Sequence, residues 1–391
     1  MAETYVHGVR VVESSDGTRP IQTVASAVIG IVGTAPDALD TDFPLNTPTI
    51  IAGSRVKAAL LGATGTLPQA LDAILDQGGA VVVVIRIEEG IDPAATQANI
   101  IGSVDATTGA YTGMQAWLGA QSVVGFEPRI LIAPGFSNVQ AVATEMISIA
   151  DRMRAFAYLD GPNTNDADAQ AYVQNFGAKR AMVIDPWVTA FDTISASNVT
   201  RPGSAVAAGL RAKLDYEKGF WWSLSNQTVN GIIGTTRPVD FKMGDPTSRA
   251  NLLNQNSVTT IIRDGGWRMW GSRTTDTTDT KNLFEPVVRV GDLIADSIQE
   301  GMKWAVDRPI NATFLDDVVK SVNNYIRHLV KEGALIGGEC WVDTELSTAD
   351  QLTLGKVAFK YDYTAPAPAE QIGITSVQVS DYYDAILPKA A

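Results

Sequence analysis

"AVVVVIRI" (residues 80–87) is the stretch on which the fold turns. It is a near-continuous run of β-branched residues with no polar alternation. A strand with one wet face alternates apolar and polar side chains, whereas a strand covered on both faces has no need to. The run therefore predicts a strand inside a parallel sheet that is layered between helices. Upstream, "LPQALDAILDQGG" (67–79) carries Leu67, Ala70, Leu71, Ile74 and Leu75 at helical spacing and stops at Gly78 and Gly79. "SRVKAALLG" (54–62) is also helical in pattern, and "TVASAVIGIVGTAPDAL" (23–39) offers a buried strand closed by Gly33 and Pro36.

Downstream the alternation repeats, with "PRILIAPGF" (128–136) as a strand, residues 138–160 as one helix and "RAMVIDPWV" (180–188) as a further strand. Strands alternating with helices predict an α/β domain with a largely parallel sheet, placed at 22–260. The Gly-, Thr- and Asp-rich segment 263–287, around Trp267 and Trp270, reads as strands and turns. Two helical patterns follow, at 290–307 and 313–333. In the second, Phe314, Leu315, Val318, Val322, Tyr325, Ile326 and Leu329 form one apolar face. Thr313 and Asp316 resemble a capping box, and Gly333 supplies a stop. "ECWVDTEL" (339–346) and "LTLGKVAFKYDYTAPAP" (352–368) then predict strands, so 261–370 is expected to form a second, α+β domain.

Both ends of the chain also read as strands. In "TYVHGVRVVE" (4–13) the apolar positions are Tyr5, Val6, Val9 and Val11. In "IGITSVQVSDYYDAIL" (372–387) they are Ile372, Ile374, Val377 and Val379. The turn-rich residues 14–21 and the Pro-rich residues 365–369 separate these strands from the rest, which predicts terminal arms at 1–21 and 371–391.

Composition restricts the function. The chain has 391 residues, 45% hydrophobic and 19% charged, as globular proteins do. A net charge of −13 argues against nucleic acid and anionic membrane surfaces as partners. The longest strongly apolar run, 80–85, is far short of a membrane span, and no signal-peptide pattern is visible at the N-terminus, so synthesis in a cytoplasm is expected. One cysteine and two histidines, His7 and His328, cannot assemble a Cys/His zinc site within the chain. Neither histidine has a convincing setting for a Ser-His-Asp arrangement. "GATGTLP" (62–68) lacks the GK[ST] of a phosphate loop. Cys340 in "GGECWVD" reads as a buried structural thiol, and the pairs Asp316/Asp317 and Glu88/Glu89 as solvated faces. No catalytic residue, metal or cofactor is expected.

Two features stay open. Phe220, Trp221 and Trp222 stand in a row and cannot all face one way, so they serve either a core or an interface. "VIGIVGTAP" (28–36) echoes "VNGIIGTTRP" (229–238), which reads as two similar buried strands with glycine turns.

The stretches "YVHGVRVVE", "VIGIVGTAP", "VIDPWV", "RPGSAVAAGLRAKLDYEKGFWWSLSNQ", "VNGIIGTTRPVDF" and "LNQNSVTTIIRDGGWRMWGSRTT" resemble the tail sheath proteins of contractile bacteriophages. The group is the P2-like one, which R-type bacteriocins share. "GWRMWGSRT" is the most specific piece. The resemblance implies a non-enzymatic subunit that stacks as hexameric rings around an inner tail tube protein in a virion tail, assembled in the host cytoplasm and bounded by baseplate and tail terminator proteins. It implies contraction that drives the tube through a target envelope, with no nucleic acid bound and no membrane insertion. It further implies an outward α/β domain, an inner α+β domain, and terminal arms that add strands to a neighbour's sheet. Asp292, Asp296 and Glu300, spaced i, i+4, i+8 on the helix at 290–307, form an acidic stripe and are the candidate tube contact. The competing readings are the sheath of a bacteriocin or other injection device and, from another class, a soluble α/β enzyme.

Overall fold

The computed structural model describes residues 20–193 and 195–386. The strands are β1 (Val28–Thr34), β2 (Thr49–Ala52), β3 (Val81–Ile87), β4 (Ile130–Ile132), β5 (Phe156–Asp160), β6 (Ala181–Ile184), β7 (Val188–Asp192), β8 (Ser197–Arg201), β9 (Gly234–Thr235), β10 (Val258–Arg263), β11 (Trp267–Trp270), β12 (Gly337–Val342) and β13 (Phe359–Thr364). The helices are α1 (Arg55–Ala59), α2 (Leu67–Gln77), α3 (Pro93–Ile101), α4 (Ala120–Val124), α5 (Gln140–Met153), α6 (Asp166–Val173), α7 (Gly203–Glu217), α8 (Arg249–Gln255), α9 (Glu285–Gly301), α10 (Ala312–Glu332) and α11 (Ala349–Thr353).

An eight-stranded sheet in the order β11-β10-β6-β5-β4-β1-β3-β2 forms the larger body. From β10 to β3 every pairing is parallel, and an antiparallel strand closes each side, β11 on β10 and β2 on β3. The "AVVVVIRI" run is β3, paired in register with β1 from Val28↔Val81 to Thr34↔Ile87. Both faces of these strands are covered. Ile29, Ile31, Val82 and Val84 join α2 and α7 in one core, while Val32, Ile85 and Leu131 join α5 in the other. Glycine in β1 has a packing reason. A Cβ at Gly33 would run into the Thr66 hydroxyl and Leu67 at the start of α2. There Thr34 and Thr66 exchange backbone-to-hydroxyl bonds of 3.1 and 3.2 Å.

A smaller unit follows. Val290, Leu293 and Ile294 of α9 pack on Val322, Tyr325, Ile326 and Leu329 of α10 and on Cys340 of β12. The strands β12 and β13 make a separate two-stranded antiparallel sheet over that core.

Several expectations need correction. The segment 138–160 is not one helix. α5 ends at Met153, Arg154 takes a left-handed conformation (φ 47°), and "FAYLD" is β5, inside the sheet between β4 and β6. The domain limit placed at 260/261 cuts through β10, and the large sheet continues to Trp270. At the other limit, Ile21, expected in the N-terminal arm, is buried in the smaller unit, and the amide of Val24, expected in the α/β body, donates to Ser297 Oγ of α9 at 3.1 Å, so both residues pack with the smaller unit. The helix α10 is capped by Asn311, whose side chain accepts from the Phe314 amide, and not by Thr313, whereas Gly333 terminates it at φ 84°. "VNGIIGTTRP" is not a second buried strand: only Gly234–Thr235 pair, at the edge of a three-stranded sheet with β7 and β8.

Candidate functional site

The acidic residues on α9 lie elsewhere than expected. Asp292 is buried and held by Arg180, whose Nε and guanidinium terminus donate to its two carboxylate oxygens at 2.7 and 2.6 Å. Asp296 pairs with Arg129 and Arg154, each at 2.6 Å, with 10% of its side chain exposed. These two therefore do not form an outward stripe that a tube could touch. They fasten α9 to the α/β body, because a desolvated carboxylate needs a charge partner. Glu300 alone of the three is exposed, 2.5 Å from Lys303.

A second ion cluster lies deeper on the same seam. Arg211 of α7 bonds Asp215 at 2.7 Å and lies 3.4 Å from Glu285 at the start of α9. Arg289 bonds Asp215 at 2.6 Å, and the buried Tyr158 hydroxyl donates to Glu285 at 2.7 Å. Two cations face two anions, so no net charge is buried. Burial pushes the Asp215 carboxyl up, but Arg211 and Arg289 outweigh it and leave the group at about 2. Burial also raises the Cys340 thiol to about 11, which suits packing and not nucleophilic chemistry. Among the described residues no group of three or more His, Cys, Asp or Glu is placed to hold a metal, and no helix is long and apolar enough to cross a membrane. His328 is exposed.

The aromatic row divides. Phe220 and Trp221 meet edge-to-face, with centroids 5.1 Å apart, in the smaller core, whereas Trp222 is exposed under the Lys218 ammonium.

The C-terminal segment is the other notable place. Glu370 is gripped by Arg273 through two bonds of 2.8 and 2.6 Å. Beyond it, residues 371–379 have no secondary structure, and Ile372, Ile374, Val377 and Val379 are 74, 89, 73 and 46% exposed. Four large aliphatic side chains along nine residues are an apolar surface left uncovered among the described residues. Tyr5, Val6, Val9 and Val11 lie outside the described residues. The Arg273–Glu370 anchor carries no sequence signal, since its partners lie far apart in the chain. The α7–α9 cluster shows locally only as the i,i+4 pairs Arg211/Asp215 and Glu285/Arg289, and no local pattern says that the two pairs meet.

Three family matches cover most of the sequence. They are "Tail sheath protein Gp18 domain III N-terminal region" at residues 26–87, "Phage tail sheath protein central domain" at 109–275 and "Phage tail sheath C-terminal domain" at 277–378. A prophage major tail sheath protein of Pseudomonas aeruginosa is 42% identical over 97% of this chain and 98% of its own length. The tail sheath protein of Escherichia phage P2 is 40% identical over 97% and 96%. The fold is similar to that of the anti-feeding prophage helical sheath in its contracted state, with TM-score 0.72, 22% identity and coverage of 96% of this chain and 100% of that one. A sheath complex of an extracellular contractile injection system, also contracted, gives TM-score 0.69 at 20% identity over 97% and 99%. With near-full-length identity of this size to proteins of one kind, the chain belongs to the phage tail sheath family.

Proposed function

We propose that the chain is a structural, non-enzymatic subunit that polymerises as stacked hexameric rings around an inner tail tube and contracts to drive that tube through a target envelope. Its partners would be further copies of itself, the tube protein, and the baseplate and terminator proteins at the tail's ends. In this reading the α/β body faces outward and the α9–α10 unit with its hairpin faces the tube. Exposed Glu300 remains a candidate charge on that inner side.

The observation that carries the reading is the apolar C-terminal segment, exposed among the described residues in a chain of this family. Such a segment, with the N-terminal strand at 4–13, would be completed by the sheet edge of a neighbouring subunit. Main-chain bonds then supply affinity, and alternate side chains fix register. The ion pairs along α9 suit a subunit that moves as one block while its arms keep neighbours tethered. Contraction is then a rigid-body exchange of interfaces. A gain of only a few kcal/mol per subunit would suffice, because it is summed along the tube.

Negative-stain imaging of the purified protein tests the proposal. Tubes or stacked rings are expected from the full chain, and soluble monomers from variants lacking residues 1–14 or 371–391. Full-length protein that stays monomeric at high concentration, or deletions that still form tubes, would overturn it.

A further inference from the structure

We infer that residues 21–26 are the anchor of the N-terminal arm, seated along α9 in a notch that Gly301 and Ser297 leave open, so that tension on the arm passes to α9 and not to β1. This rests on the reading that the arm joins neighbouring copies, and goes further by naming where the arm is fixed and which residues fix it.

The contacts follow one another along the helix. At the last residue of α9, a Cβ on Gly301 would come within 2.8 and 2.9 Å of the Ile21 side chain, so the buried Ile21 fits only because that side chain is missing. Gly301 does not serve as the helix stop, since it is helical itself and the C-cap is Met302. One turn back, the Val24 amide donates to Ser297 Oγ at 3.1 Å, and that buried hydroxyl donates in turn to Leu293 O at 2.6 Å. Between them, Thr23 Oγ1 lies 3.0 Å from the Tyr325 hydroxyl of α10. Farther along, the Ser26 carbonyl accepts from Arg289 at 3.1 Å, and the Ser26 hydroxyl donates to Asp215 in the buried ion cluster. From Gly301 to Arg289 the helix rises about 18 Å, so the strap is held at points spread over some three turns.

The place of β1 gives these contacts their consequence. β1 starts at Val28, directly after the strap, and lies inside the large sheet between β4 and β3. A pull on an arm joined straight to Val28 would strain the middle of that sheet. With the strap seated, the pull meets Ile21 first, and α9 passes it to the body through Asp292, Asp296 and the Arg289–Asp215 pair. Gly301 and Ser297 are therefore positioning residues for the arm.

Hydrogen exchange and tube breakage test the anchor in the full chain. Gly301→Ala suits a helix but fills the notch. In monomers it should speed exchange of residues 21–26 at least tenfold and leave β1 unchanged. Adding Ile21→Ala makes room again and should restore most of the protection, which a general loss of stability would not do. Tubes of Gly301→Ala driven through a narrow capillary should break to less than half the length of native tubes, and tubes of the double variant should resist as native ones do. Thr23→Val, which leaves α9 untouched, should shorten tubes in the same direction by a smaller factor. Gly301→Ala that exchanges like the native chain would overturn the seat, and a freed strap whose tubes break no sooner would overturn the transfer of tension. Folded Gly301→Ala monomers that form no tubes support the anchor if Ile21→Ala restores assembly and overturn it if not. Should Gly301→Ala fail to fold, Thr23→Val decides, and native tube strength in that variant refutes the inference. If deleting residues 1–14 leaves tubes intact, the arm reading itself fails, whereas the exchange result still judges the seat.

Discussion

The eight-stranded sheet and the β12–β13 hairpin differ in residues and in closure: the aliphatic runs of β1 and β3 are buried, whereas "GGECWV" and "FKYDYT" mix glycine, charged and aromatic side chains that are largely exposed. In the large sheet, β1 and β3 are paired along seven residues, helices cover both faces, and antiparallel β2 and β11 finish the sides. The hairpin has α10 beneath it, Asn323 across one edge and, along the other, backbone groups with no partner among the described residues. Two-stranded sheets are marginal by themselves in water. In the proposed reading, the body carries stability and the hairpin with its tail carries association.

That division can be broken most forcefully at the α7–α9 seam. Glu285→Ala leaves Arg211 and Arg289 short of an anion in a dry site, and should lower monomer stability by about 3–5 kcal/mol, measured as the urea midpoint. Acid should act on the same cluster. The Asp215 carboxyl sits at about 2 when folded against 3.8 in the unfolded chain. Its contribution is therefore complete above pH 3.8 and is lost as pH falls toward 2. That loss amounts to about 2 kcal/mol. The fall in unfolding free energy between pH 4 and 2 should be steeper in the native chain than in Asp215→Asn, and equal slopes would refute the assignment. Within the smaller unit, Asn311→Ala removes the α10 cap and should cost about 1 kcal/mol, read from thermal melts. The sharpest contrast comes from the smallest stability effect. Ile374→Asp should change monomer stability by less than about 0.5 kcal/mol. It should nonetheless suppress polymerisation in sedimentation assays, because the carboxylate would be buried on docking. A variant that instead melts early and polymerises normally would reverse the comparison.

Some elements were legible because their signal is local. The β-branched run at 80–87 appears as β3, and the apolar stripe from Phe314 to Leu329 faces the core along α10. β5 was hidden because "FAYLD" follows α5 with neither glycine nor proline between them. A run of five residues gives no period that separates strand from helix. The acidic stripe was misleading for a different reason. Asp292 and Asp296 at i, i+4 look solvated along the chain, and Arg180, Arg129 and Arg154, which make their burial tolerable, come from distant parts of it.

By itself the sequence determined the layered α/β body, the amphipathic α10 and the strand-like apolar pattern at the C-terminal end, since periodicity and β-branching act over a few residues. Only the tertiary structure decided that α9 is fastened by buried ion pairs and that one hairpin edge is sealed while the other lies open. The ion pairs of Asp292 and Asp296 join residues more than a hundred positions apart and the Asn323–Cys340 bonds join a helix to the next strand, and no local pattern records which charge meets which, or which backbone N–H a carboxamide reaches.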